Sequence, residues 1–262
     1  LLFLFPVLLN APAMPLAPPH FVSGDVFFLK ETDVALAFDL EGSRIRCYFL
    51  KPILVPSDIY SPSKFKTYSQ PIKIRGNTTF LALAVHPDFG SSMLARKQFF
   101  RVKYVPKQIK LLTAPHKDYP GQNAISLIDR KKGSSDLHDG KWLGFLGDTV
   151  KIEVDFSRKI QSKNLLISTL SDLDSWIFPM RSVTVFAIDK NEQWQKIGFW
   201  EVADDKSMLW EERNYAKFKS ITLGKIQTRH LRIEIVPFGI LPKGYPGADS
   251  PAWLFLDEII FQ

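Results

Sequence analysis

The sequence predicts an all-β protein made of two β-sandwiches in tandem, on three observations. Apolar residues recur at period two in segment after segment: in TVKIEVDF, Val150, Ile152, Val154 and Phe156 share one face and Lys151, Glu153 and Asp155 the other. No amphipathic pattern exceeds about two helical turns and no strand–helix–strand alternation occurs, which removes the parallel α/β folds and their enzymes. The composition, 45% hydrophobic and 13% aromatic against 23% charged, is that of a globular chain rich in strand-forming side chains.

At 262 residues the chain is longer than a usual single domain. It opens with LLFLFPVLLN, a short apolar run, followed by Ala11-Pro12-Ala13, which fits the small-residue pattern of signal cleavage. Residues 1–13 are therefore read as the remnant of an export signal and 14–21 as a linker. The protein is expected in the periplasm or at the cell surface of a bacterium. The run is too short to span a bilayer and no other stretch is long enough, so no transmembrane segment is predicted.

The first sandwich is placed at 22–105. In RIRCYF, Ile45, Cys47 and Phe49 alternate with Arg46 and Tyr48, so the single cysteine reads as a small buried side chain; alone, it can form no intrachain disulfide. The proline- and serine-rich KPILVPSDIYSPSKFKTYSQ reads as an exposed connection. Asn77-Thr78-Thr79 matches a glycosylation acceptor but reads as a turn before the strand TTFLALAV. The strand-like QFFRVKY ends at Pro106, and the second sandwich is placed at 107–262. There SVTVFAI and HLRIEIV alternate as TVKIEVDF does, with Leu231, Ile233 and Ile235 opposing Arg232 and Glu234. The net charge of +7 is spread along the chain, and its longest basic run, Arg130-Lys131-Lys132, reads as solvated surface; no nucleic-acid partner is predicted.

No catalytic residues are predicted. His138 and Asp139 are neighbours on an extended segment and diverge, and no nucleophile-elbow serine or cysteine stands near them. Asp257-Glu258, in FLDEIIF, should send one carboxylate inward and the other outward, so the two cannot converge on one bond. Sugar recognition needs flat apolar faces and a few fixed hydrogen-bonding groups on loops. HDGKWLGF, DSWIF and the loop 242–250 offer them, with His138, Asp139, Trp142, Trp176, Tyr245 and Asp249 as the candidate ligand-binding residues. The other reading has Trp142, Trp176 and Trp253 packing the core, and His138 with Asp139 anchoring a loop.

Taken in order, YPGQNAISLIDRKKGSSDLHDGKWLGF, DSWIFPMRSVTVFAI, HLRIEI and PAWLFLDEIIF give residues 107–262 a further meaning. This region resembles the discoidin-like (coagulation factor 5/8 type C, galactose-binding-like) jelly rolls at the C-terminus of bacterial family 20 β-N-acetylhexosaminidases. Through QPIKIRGNTTFLALAVHPDFGSSMLARKQFF, residues 22–105 resemble the immunoglobulin-like chitobiase/hexosaminidase C-terminal module that precedes such domains. The resemblance implies an exported, non-catalytic carbohydrate-binding protein with a glycan as partner. Its alternatives are a protein-interaction or spacer module, or a displaced C-terminal part of such an enzyme, with a glycoside hydrolase as partner. It also implies one structural calcium ion, held by Asp129, the carbonyls and hydroxyl around Ser134 and Ser135, and Glu258. Such an oxygen-only set suits calcium; otherwise Glu258 pairs with a nearby Lys or Arg and no ion binds.

Overall fold

The structure is a computed structural model that describes residues 16–50, 62–202, 215–225 and 227–262. The predicted export segment 1–13, the start of the linker and most of the proline-rich connection lie outside the described residues. The protein is all-β: among the described residues the only helical elements are the 3₁₀ turns Pro62–Lys64, Ile125–Leu127 and Leu173–Ser175. No helix there is long and apolar enough to cross a membrane.

The chain clusters into two compact units, Leu1–Arg101 and Val102–Gln262. Residues just after Arg101 go with the second unit, because the backbone N–H groups of Lys103 and Tyr104 donate to the Phe261 carbonyl at 3.1 and 3.2 Å.

In the first unit a six-stranded sheet runs in the order Phe27–Phe28, Ala95–Arg101, Thr78–His86, Arg44–Leu50, Lys66–Thr67, with Gly90–Ser91 paired to Thr78–His86. Two short ribbons, His20–Phe21 with Leu36–Ala37 and Thr32–Val34 with Ile72–Ile74, pack on it. Their Val34, Leu36 and Ile74 meet Cys47, Phe80, Ala82 and Phe99 of the sheet in one core. Cys47 is buried as its alternation predicts, and burial pushes its thiol pKa up. Phe49 is half-exposed instead of buried, its edge set on Phe80 at 4.6 Å between centroids. Asn77 closes the turn before Thr78–His86, its side-chain oxygen accepting the Arg101 N–H at 2.8 Å.

The second unit stacks two antiparallel sheets. One runs Gln108–Leu111, Val150–Ile160, Thr228–Val236, Ser182–Ile188, Trp194–Glu201; the other runs Leu143–Leu146, Trp253–Phe261, Asn164–Ser171, Tyr215–Thr222. The period-two residues face inward: Val150, Ile152, Val154, Val183, Val185, Leu231, Ile233 and Ile235 meet Leu143, Leu165, Ile167, Leu254 and Leu256 in a single core. The last strand breaks its own period. Leu256 pairs with Thr169 and Glu258 with Ser168, so Asp257 is an extra residue with no cross-strand partner. Such a bulge resets the alternation. Leu254, Leu256 and Ile259 point into the main core, while Asp257 and Glu258 both leave it on the same side. The sequence expectation that these two carboxylates diverge is therefore wrong, because strict alternation does not survive the inserted residue.

Candidate functional site

Opposite the main core, the odd-numbered residues at the start of the last strand make one wall of a concave pocket of about 240 Å³. Trp253 and Tyr119 stand edge to face, 5.3 Å apart between ring centroids, and Tyr119 also meets Phe255 at 4.8 Å. Ile177 and Phe255 are buried beneath the pocket, and His138 and Ser175 stand exposed at its rim. The imidazole of His138 lies 5.8 Å from the Tyr119 ring, and its side chain is 72% exposed.

Backbone pairing fixes these groups. Trp253 donates its N–H to the Trp176 carbonyl at 2.9 Å and its carbonyl accepts from Phe178 at 3.0 Å, which pins loop 172–178 to the strand. Ser175 stays aimed because its hydroxyl donates to Asp172 Oδ2 at 2.6 Å, leaving its lone pairs for an incoming donor. Tyr119 is tied to the strand Leu143–Leu146 through Gly144 N–H, which donates to the Tyr119 carbonyl at 2.9 Å. The loop carrying His138 is folded by its own aspartates. Asp136 Oδ1 accepts the His138 N–H at 2.8 Å, and Asp139 accepts from Ser134 N–H at 2.6 Å and Lys141 N–H at 3.0 Å. Burial of Asp139 disfavours its charge, yet the Ser134 and Lys141 N–H groups hold its pKa below the ordinary carboxylate value.

The candidate ligand residues fare unequally. His138 lines the pocket. Asp139 is a loop anchor, its carboxylate spent on backbone. Trp142 is 1% exposed, with its indole enclosed by Lys132 and Gly133, so its faces are closed to a ligand and its place in the predicted site is corrected. Trp176 is 39% exposed with its ring against Gly247, just outside the pocket. Tyr245 packs on Phe178 at 5.5 Å, and Asp249 is exposed on the far part of loop 242–250; neither lines the pocket. Tyr119, Ser175 and Trp253 were missed. Alternation carries the signal for Trp253: with Leu254 and Leu256 inward, Trp253 must face the other way. Nothing local marks Tyr119, which reaches the pocket through long-range pairing.

A second cluster lies behind the same loop. Glu258, 1% exposed, accepts the Arg130 N–H at 2.7 Å, and Asp257, 0% exposed, accepts the Gly133 N–H at 2.7 Å and the Lys132 ammonium on the same oxygen. Asp129 accepts the Lys131 N–H at 2.7 Å. Burial first, then the charges of Asp129 and Asp257, push the Glu258 pKa up to about 9; burial also raises Asp129, against the Lys131 N–H. Lys132 is not the solvated residue expected from its basic run. Burial lowers its pKa while Asp257 opposes the shift, and its ammonium sits 4.2 Å from the centroid of the Trp142 ring.

These donors do not make a calcium cage, which needs six or more convergent oxygens. Ser134 and Ser135 are exposed, the Ser134 carbonyl accepts the Trp142 indole N–H at 3.1 Å, and its hydroxyl accepts the Asp136 N–H at 3.2 Å. Asp129 and Glu258 each spend an oxygen on backbone, and an ammonium already occupies Asp257. The Asp257 Oδ1 atom has no hydrogen-bond partner, but it is one oxygen where several are required. Among the described residues no group of three or more His, Cys, Asp or Glu side chains is disposed to hold a metal ion.

No protein-family model matches this chain, and no curated protein matches it. Solved structures that it is similar to include the C-terminal domain of a chitobiase from Bacteroides fragilis, at 15% identity over 60% of this chain and 94% of that one, with a TM-score of 0.38. Another is the family 32 carbohydrate-binding module of EndoD from Streptococcus pneumoniae, at 12% identity over 61% and 97%, with a TM-score of 0.41. A third, a SusE-like protein, aligns over 95% of this chain and 98% of its own at 10% identity, with a TM-score of 0.33.

Proposed function

We propose that this protein is a non-catalytic carbohydrate-binding protein that takes a single sugar ring into the pocket between Tyr119, His138, Ser175 and Trp253. The pocket's make-up carries the reading. At about 240 Å³ it falls below the ~300–1,000 Å³ of sites for drug-sized ligands, and suits one pyranose. Its aromatic walls offer apolar surface to the C–H face of the ring, and His138 and Ser175 offer hydrogen bonds to its hydroxyls. Glycoside hydrolysis takes a pair of carboxylates flanking the scissile bond, and the adjacent Asp257 and Glu258 are buried and turned onto backbone N–H groups, out of a substrate's reach. Export rests on the sequence of residues 1–13 alone. The test is titration of the full chain with a panel of neutral mono- and oligosaccharides, followed by the nitrogen-edited NMR signals of His138 and the tryptophan indoles. Saturable shifts at His138 and Trp253 are expected. If no sugar shifts them, the pocket is not a glycan site and the interaction-module reading takes its place.

A further inference from the structure

We infer that the Lys132 ammonium is the resident cation of the Asp129–Asp257–Glu258 cluster and that it positions the segment 129–142 with no metal ion. The inference stands apart from the glycan reading, and its test involves no sugar. The bulge at Asp257 turns two consecutive carboxylates out of the sheet on one side, where each is covered by the backbone of residues 130–133. A positive charge is needed there, since the Asp257 carboxylate is fully buried and a buried charge is costly unless it is paired. The chain supplies it from the covering loop itself. Lys132 lays its ammonium on Asp257, over the face of Trp142 and 5.8 Å from the Phe218 ring centroid. Lys141 caps the Lys132 carbonyl from outside at 3.3 Å.

The same loop is thereby fastened at Arg130, Lys132 and Gly133 to the last strand, while the Lys131 N–H bonds back to Asp129 within the loop. It then runs on through the Asp136 and Asp139 turns to His138. A divalent ion would have to displace the ammonium from Asp257, and the Ser134 oxygens that would complete its shell are engaged elsewhere. Lys132 is a positioning residue, acting on the loop through the carboxylates.

The experiment follows melting of the full chain by tryptophan fluorescence. The tryptophans among the described residues, Trp142, Trp176, Trp194, Trp200 and Trp253, all lie in the second unit, and the first unit's sequence holds none, so the signal follows the second unit. The parent should melt identically in excess chelator and in excess calcium. Lys132→Met should lower the melting temperature by on the order of 10 °C, the effect of stranding a buried charge. Should the single variant fail to fold, Lys132→Met/Asp257→Asn removes both charges while keeping an acceptor for Gly133 N–H, and should melt closer to the parent. The inference is overturned if chelator lowers the parent's melting temperature, if Lys132→Met melts like the parent, or if the double variant is no better than the single.

Discussion

Gly133 lies flat against the indole of Trp142: a Cβ added to the glycine would stand 2.4 Å from Cε2 and 2.6 Å from Cζ2. No real contact of that kind is so short, so either the loop or the ring must move. The ring has little freedom, since its N–H is bonded to the Ser134 carbonyl and Lys132 lies over its face. Gly133→Ala should therefore destabilise the second unit by about 1–3 kcal/mol, as overpacking does. Trp142→Ala should cost about 3–5 kcal/mol, the range for emptying an aromatic core position. Denaturant unfolding followed by fluorescence measures both. A Gly133→Ala variant as stable as the parent would show that the loop is looser than its hydrogen bonds imply.

The buried Glu258 predicts how stability varies with pH. Its folded pKa, about 9, lies above the ordinary value of 4.5, so the folded state holds a proton that the unfolded chain releases. The contribution is complete below the ordinary pKa and is lost as pH rises through the folded one. With Asp129, Asp257, Lys132 and Arg130 around it, Glu258 should make the second unit melt progressively lower between about pH 5 and pH 9. Glu258→Gln, neutral at every pH, should flatten that slope, and its advantage over the parent should grow toward the alkaline end. Melting curves in chelator across that range decide it: parallel pH profiles would place the protonation elsewhere.

Asp139 has the opposite sign. Its folded pKa is depressed, so its contribution is present above the ordinary carboxylate pKa and disappears as pH falls through the folded value. The loss should be local, since its partners are the N–H groups of Ser134 and Lys141. Amide exchange at those two residues should accelerate in Asp139→Ala, while amides of the core strand Val150–Ile160 keep their protection. Equal acceleration in both places would mean that Asp139 supports the whole unit.

The contrast between core and site explains what could be read in advance. Val150, Ile152 and Val154 announce their burial because each obeys a local period, and the stretch from Val150 to Asp155 stays in register with its neighbours in the sheet, the shift in this strand falling beyond Asp155. Asp257 and Glu258 break theirs through one extra residue, and a bulge leaves no mark in composition. Lys132 looked like surface because it stands in a basic run, and its burial depends on a strand 125 positions further along the chain. The pocket divides in the same way. His138 was legible from its loop, whereas Tyr119 reaches the pocket only because its carbonyl pairs with Gly144 across the sheet edge.

The pocket makes a graded prediction. Tyr119 and Trp253 stand edge to face and both touch Phe255, but only Trp253 also closes the strand onto loop 172–178. Removing the Tyr119 ring takes away one aromatic wall, worth about 1–1.5 kcal/mol, so Tyr119→Phe should bind sugar nearly like the parent and Tyr119→Ala about tenfold more weakly. His138→Ala should weaken binding by a similar factor with the melting temperature unchanged, because its side chain is mostly exposed and its structural bond to Asp136 is made by the backbone N–H. Tyr245→Ala should leave affinity intact, since that ring packs on Phe178 away from the pocket. Trp253→Ala should lose both affinity and stability, the latter by about 3 kcal/mol for a partly buried aromatic. Calorimetric titration paired with melting curves separates the four residues. Loss of affinity in Tyr245→Ala with none in His138→Ala would move the sugar from this pocket to loop 242–250.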